Sequence, residues 1–169
     1  MIFYTIYATV NLITDIKYRR TKNYWHLIFF ALGIYYAYLE RSVQEIVFAI
    51  FLSISIGLLL ERNKVFSAGD TKMVIVTCIW LSFLVSLPIF QLVCFVFLFY
   101  LLPLLAMGFF FMIKRNGVKK TVKKKVINFY LLLITRRFIS SESQDNIVYN
   151  IPGAIFVNFS AFTICYIFS

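Results

Sequence analysis

Six apolar runs, at roughly 1–14, 24–39, 46–60, 73–88, 89–113 and 151–168, take up most of the 169 residues of this chain. An apolar run must be buried against another element or in lipid, and a soluble domain of this length has too small a core for six of them. Hydrophobic residues make up 62% of the chain, against about 45–50% in a soluble domain. That excess excludes a cytosolic globule, a disordered chain and a disulfide scaffold. The expected fold is all-α: a polytopic integral membrane protein with about six transmembrane helices, forming one domain over 1–169.

Several runs are shorter than the roughly 20 residues a span requires. Their helices must extend into polar flanks, or the bilayer must thin around them. The stretch from Met73 to Ile113 is too long for one helix, and Ser86-Leu87-Pro88 is the break between two. Met1–Thr14 has no basic leading segment and no small-residue cleavage site, so it reads as a span and not as a signal peptide.

Charge sets the orientation. The net charge is +10, and sixteen of the 17 Lys and Arg fall in the loops 15–23, 61–72 and 114–150. Arg41 alone lies between the second and third runs. Basic loops face the cytoplasm, which predicts both termini outside and these three loops inside, with no need for nucleic acid. Within 114–150, the basic run Lys114–Lys125 is expected to lie against anionic headgroups. Val126–Ile134 is too short to span and is expected as an interfacial helix. Ser140–Asn146 reads as a polar loop, and Asn150 as the cap of the last span, with Pro152 in its first turn. Cys78, Cys94 and Cys165 lie inside apolar runs without a CxxC pair and suggest neither zinc nor a disulfide.

Seven carboxylates remain as candidates for chemistry. Glu40 and Glu45 beside Arg41, Glu61 beside Arg62 and Lys64, and Glu142 and Asp145 in the polar loop are explained as solvated surface groups. Asp15 closes the first run and Asp70 precedes the fourth. The topology puts both at cytoplasmic helix ends, at similar depth. Singly, Asp15 reads as a membrane-border charge and Asp70 as the N-cap of a helix starting at Thr71. Together they make a carboxylate pair at a level where ionisable groups are functional candidates.

Two adjacent carboxyls cannot both ionise cheaply, so one keeps a proton. The ionised one can take a proton from water while the other donates to a carbonyl oxygen. That is aspartic proteolysis, which needs no metal and no covalent intermediate. Gly69 allows close backbone approach or a positive φ just before Asp70. Lys72, in a first helical turn, opposes the helix dipole and calls for a partner, Asp70 or a substrate carbonyl; a snorkelling border lysine is the alternative. His26 reads as a packed or interfacial residue. No HExxH, GxSxG, Walker-type loop or GxGxxG is present.

The words Asp15-Ile16-Lys17-Tyr18-Arg19-Arg20-Thr21-Lys22-Asn23 and Ser67-Ala68-Gly69-Asp70-Thr71-Lys72-Met73 resemble the two signatures of the type IV prepilin peptidase family. These are membrane aspartyl proteases that include the preflagellin peptidases. In that family an Asp ends the first helix and a basic loop leads to Ile-Pro-Asn. The spacing from Asp15 to Asn23 matches, with Thr21-Lys22 standing for Ile-Pro. The second signature is Gly-x-Gly-Asp-x-Lys: Gly69, Asp70 and Lys72 match, and Ser67 stands for the first Gly. Ile151-Pro152-Gly153-Ala154 resembles the Pro-Gly element that opens the family's last span.

The resemblance implies a single membrane peptidase domain with Asp15 and Asp70 catalytic. It implies Asn23, Gly69 and Lys72 in supporting or substrate-binding places, no cofactor, and a cytoplasm-facing site. The implied substrate is a prepilin or pseudopilin of a type IV pilus or secretion system, cut just before its hydrophobic N-terminal helix to remove a short basic leader. The chain is similar to the short forms of the family, without the added N-terminal segment bearing paired cysteines, so methyltransferase activity is not expected. The sequence leaves open a non-enzymatic membrane protein, a small transporter or a secretion-system assembly subunit, in which Asp15 and Asp70 would be an ion relay or a structural pair.

Overall fold

The computed structural model describes residues 2–18, 22–63, 65–116 and 152–168. They form α1 (Ile2–Tyr18), α2 (Asn23–Glu40), α3 (Val43–Arg62), α4 (Ala68–Leu84), α5 (Ile89–Asn116) and α6 (Gly153–Phe168), and no strand occurs among them. The interfacial helix expected at Val126–Ile134, the loop at Ser140–Asn146 and the cap at Asn150 lie outside the described residues. The chain divides into two compact units, Met1–Leu101 with Pro152–Ser169, and Leu102–Ile151. Every candidate site residue belongs to the first.

Within that unit α4 is the core. Its residues from Thr71 to Ser82 are buried except for exposed Lys72 and half-buried Ile75. A helix apolar on every side belongs inside a bundle, and α2, α3 and α6 pack against it. Those helices bury single stripes at helical spacing, such as His26, Phe29, Gly33 and Ala37 on α2. The α3 stripe, Ile46, Ala49, Ser53 and Gly57, is mostly small. A Cβ at Gly57 would stand 2.6 Å from Thr71 Cγ2, so the absent side chain sets how closely α3 approaches α4.

The outward faces are apolar too, with Leu27, Tyr35, Phe51, Leu58 and Leu59 exposed. The interior instead carries polar groups. Tyr4 Oη donates to Thr77 Oγ1 at 3.2 Å, Trp80 Nε1 to the Phe29 carbonyl at 2.9 Å, and Asn158 Nδ2 to the Ala8 carbonyl at 3.1 Å. Among the described residues no buried side-chain nitrogen or oxygen lacks a partner, as a polar group away from water requires.

Two helices are long and apolar enough to cross a membrane, over Val43–Arg62 and Ile89–Phe111, and only 22% and 33% of those stretches is buried in the protein. The remaining four have 16 to 18 residues. At about 1.5 Å per residue they reach roughly 24–27 Å, short of the roughly 30 Å hydrocarbon core.

The break at Ser86-Leu87-Pro88 falls where expected, between Leu84 and Ile89. The turn before α3 is more than the solvated loop expected from its charges. Ser42 and Glu45 form a capping box, each satisfying the other's backbone N–H. Arg41 reaches across to α4 and donates to the carbonyls of Ser82, Val85 and Leu87. The cation is drawn there because the last turn of a helix leaves its carbonyls unpaired.

Candidate active site

The site lies at the other end of the bundle, where α1 and α3 finish and α2, α4 and α6 begin. Asp70 owes its place to a local motif. Ser67 is the N-cap of α4: its Oγ accepts the Asp70 N–H at 3.3 Å. In return Asp70 Oδ2 accepts the Ser67 N–H at 2.9 Å and the Ser67 Oγ–H at 2.8 Å. This reciprocal capping box corrects the expectation that Asp70 caps a helix starting at Thr71. Ser67 satisfies the Asp70 N–H, so residues 68–70 already form the first turn. Gly69 is therefore helical, which removes the positive φ considered for it.

Asp70 is half-buried and lies ahead of the apolar stretch that starts at Met73. Burial pushes its carboxyl above the ordinary range, the Ser67 hydrogen bonds oppose that rise, and the charge of Asp15 adds to it.

Asp15 comes from α1, one turn before its end, and is also half-buried. Its Oδ2 accepts the backbone N–H of Ala154 at 2.9 Å. Next to Ala154, the Cα of Gly153 backs onto the other acid: a Cβ there would overlap Asp70 Oδ1. Consecutive residues of one turn thus touch both carboxyls. That turn opens α6, whose first N–H groups have no acceptor four residues back within the helix and carry the positive end of the helix dipole.

Lys72 Nζ donates to Asn23 Oδ1 at 2.9 Å and ties the start of α4 to the start of α2. This overturns the expectation of Asp70 as its partner, because residues two apart on a helix do not face each other. Glu61 is not simply solvated: it is half-buried and accepts from Thr71 Oγ1 at 3.3 Å. His26 is buried against Tyr7, with Nδ1 2.8 Å from the Tyr7 hydroxyl, in keeping with a packed residue.

Sequence reasoning passed over two neighbours of the pair. Gly153 was visible only as part of the Pro-Gly opening of the last run. Tyr100 carried a weaker signal, a hydroxyl set among Phe95, Phe97 and Phe99. Its buried ring packs 4.5 Å from Phe66, which precedes Ser67, and 5.8 Å from Phe156, two residues past Ala154. There it is within electrostatic reach of both aspartates.

Chemically, two carboxyls share one helix end, and burial favours a proton on one of them. That is an acid–base pair able to act on a polarised carbonyl and a water together.

The model of the type IV leader peptidase family matches residues 2–102 of the chain. The matched stretch holds Asp15, Asn23, Gly69, Asp70 and Lys72, and it ends before α6. No curated protein and no solved structure matches the chain.

Proposed function

The chain belongs to the type IV leader peptidase family, and from that premise we propose that it is a multi-pass membrane aspartic endopeptidase whose catalytic pair is Asp15 and Asp70. The family membership makes it a protease and sets aside the transporter and the assembly subunit. The aspartic mechanism draws its support from one juxtaposition: acids 55 residues apart in sequence meet on the Gly153-Ala154 turn. Asn23 and Lys72 have a supporting role, since their hydrogen bond holds together the helix starts that carry the site. Gly69 contributes a small first-turn residue beside Asp70.

The substrate is a prepilin or pseudopilin with a short basic leader and a hydrophobic N-terminal helix. Six spans, with the basic loops in the cytoplasm, would put the carboxyls at the cytoplasmic border of the bilayer. The substrate helix then lies in lipid beside the spans, and its leader reaches the pair from the cytoplasm. The exposed apolar faces of α2 and α3 suit such a lipid setting.

Leader removal from a co-expressed prepilin tests this reading. Asp15→Asn and Asp70→Asn are near-isosteric and remove only the ionisable group. Each should lower cleavage by at least about 10²–10⁴-fold, the contribution of a positioned acid or base, while the protein still accumulates in the membrane. Glu40→Gln should cleave normally. Full processing by the Asp70→Asn protein would refute its role.

A further inference from the structure

Among the described residues three tyrosines are buried, Tyr4, Tyr7 and Tyr100. A hydroxyl shut away from water needs a hydrogen-bond partner. Tyr4 Oη donates to Thr77 Oγ1 at 3.2 Å, and Tyr7 Oη lies 2.8 Å from His26 Nδ1. No described residue bonds to the Tyr100 hydroxyl, although the residue is only 2% exposed. Yet no fully enclosed side-chain oxygen among these residues lacks a partner, so the small exposed part of Tyr100 includes its hydroxyl. The ring is enclosed, and the oxygen opens on space that another molecule can reach.

The neighbours of the ring fix where that space is. Its centroid is 4.5 Å from that of Phe66, next to the N-cap Ser67, and 5.8 Å from that of Phe156, one turn along α6 from Gly153. Gly153 backs onto Asp70, and Ala154 beside it donates to Asp15. The ring is thus clasped by the two helix starts that hold the acids, and both carboxyls act on its hydroxyl electrostatically. A phenylalanine would fill the same place, as Phe95, Phe97 and Phe99 do just before it on α5. Tyr100 carries an oxygen that the fold itself does not use.

We propose that Tyr100 is a catalytic residue: its hydroxyl donates a hydrogen bond to the oxygen of the scissile carbonyl as negative charge builds there. This rests on the peptidase reading above. The acid pair has one proton to give, and a carbonyl oxygen has two lone pairs. The second lone pair calls for a donor that adds no negative charge to a site already holding two carboxyls. A phenol is such a donor, since its ordinary ionisation near pH 10 lies far above that of a carboxyl. Tyr100 keeps its proton throughout. The water oxygen goes to the carbonyl carbon, the C–N electron pair goes to nitrogen, and the acid pair moves every proton. A fixed donor aimed at the developing charge stabilises the transition state more than the bound substrate.

Tyr100→Phe removes the oxygen and keeps the ring. Leader cleavage of a prepilin would be measured for it beside wild type, Asp70→Asn and Tyr4→Phe, with thermal unfolding of the same preparations. The fold makes no bond with the Tyr100 hydroxyl, so Tyr100→Phe should keep the wild-type Tm. Tyr4→Phe loses its bond to Thr77 and should melt about 2–4 °C lower while cleaving normally. Tyr100→Phe should lower kcat and kcat/KM by the same factor, about 10²-fold. A prepilin peptide with a secondary alcohol in place of the scissile carbonyl should bind Tyr100→Phe more weakly by a similar factor. Wild-type rates in Tyr100→Phe, a rise in KM alone, undiminished binding of the alcohol, or a Tm as low as that of Tyr4→Phe would each overturn the assignment. Any of these beside an inactive Asp70→Asn removes the role of Tyr100 and leaves the peptidase reading in place. Wild type that cleaves no prepilin removes both.

Discussion

Replacing Arg41 by alanine separates the stability of the bundle from its chemistry. The guanidinium donates to the carbonyls of Ser82 at 2.9 Å, Val85 at 2.7 Å and Leu87 at 3.0 Å, and pairs with Glu45 at 3.7 Å. Those carbonyls close α4 and form the link to α5. A hydrogen bond to a charged group contributes about 1.5–3 kcal/mol. The Arg41 side chain is only 15% exposed, so solvent screens part of this and not most. Bonds from one group do not add, and Arg41→Ala should cost about 3 kcal/mol in total. For a protein of this size that is a Tm lower by about 6–12 °C.

Arg41→Lys keeps the charge without the planar fork and should recover less than half of the loss. Cys78, buried in α4, reports unfolding through a thiol-reactive fluorophore in a background of Cys94→Ala and Cys165→Ala. Val85 lies 15 residues along from Asp70, about 22 Å of helix. Cleavage by the folded variant should therefore match wild type at low temperature. An Arg41→Ala midpoint equal to that of wild type would show that the three bonds do not hold this end of α4.

Because burial raises the Asp70 carboxyl, the folded state binds that proton more tightly than the unfolded chain. This stabilisation is complete below the ordinary carboxylate range and is lost as pH rises through the raised value. Thermal scans should then find Asp70→Asn more stable than wild type at neutral pH, with the gap closing in acid; a less stable variant at neutral pH would mean the Ser67 bonds outweigh burial. For orientation, cysteines at the exposed positions Ser42 and Gln91 should label from outside intact cells, and one at Asn63 only after permeabilisation. Labelling of Asn63→Cys in intact cells would invert the proposed topology.

The helices were legible because hydropathy marks them directly. The break before α5 was legible because Pro88 cannot continue a helix. The shared level of Asp15 and Asp70 followed from counting charges by loop. The start of α4 was misjudged although its signal is local: Ser67 three residues before Asp70 is the capping-box spacing, and the same spacing recurs in Ser42 and Glu45. The partners of Arg41, 41 to 46 residues away, could not be read, because packing and not pattern decides which carbonyls a cation reaches. Nor could the contact of Gly153 with Asp70. A small residue at a helix start has many local uses, and nothing in the chain says that an acid from another helix lies behind it.

The Ala154 N–H and the Asp15 carboxylate that accepts it are 139 residues apart. A ribosome adds roughly 5–20 residues per second, so α1 waits on the order of ten seconds after its synthesis for α6 to be made. During that interval Asp15 has no donor from α6, and Asp70 has no Gly153 at its back. Insertion of the early helices and assembly of the acid pair are thus separate events in the life of each molecule, and the second sets when a newly made chain can begin to work.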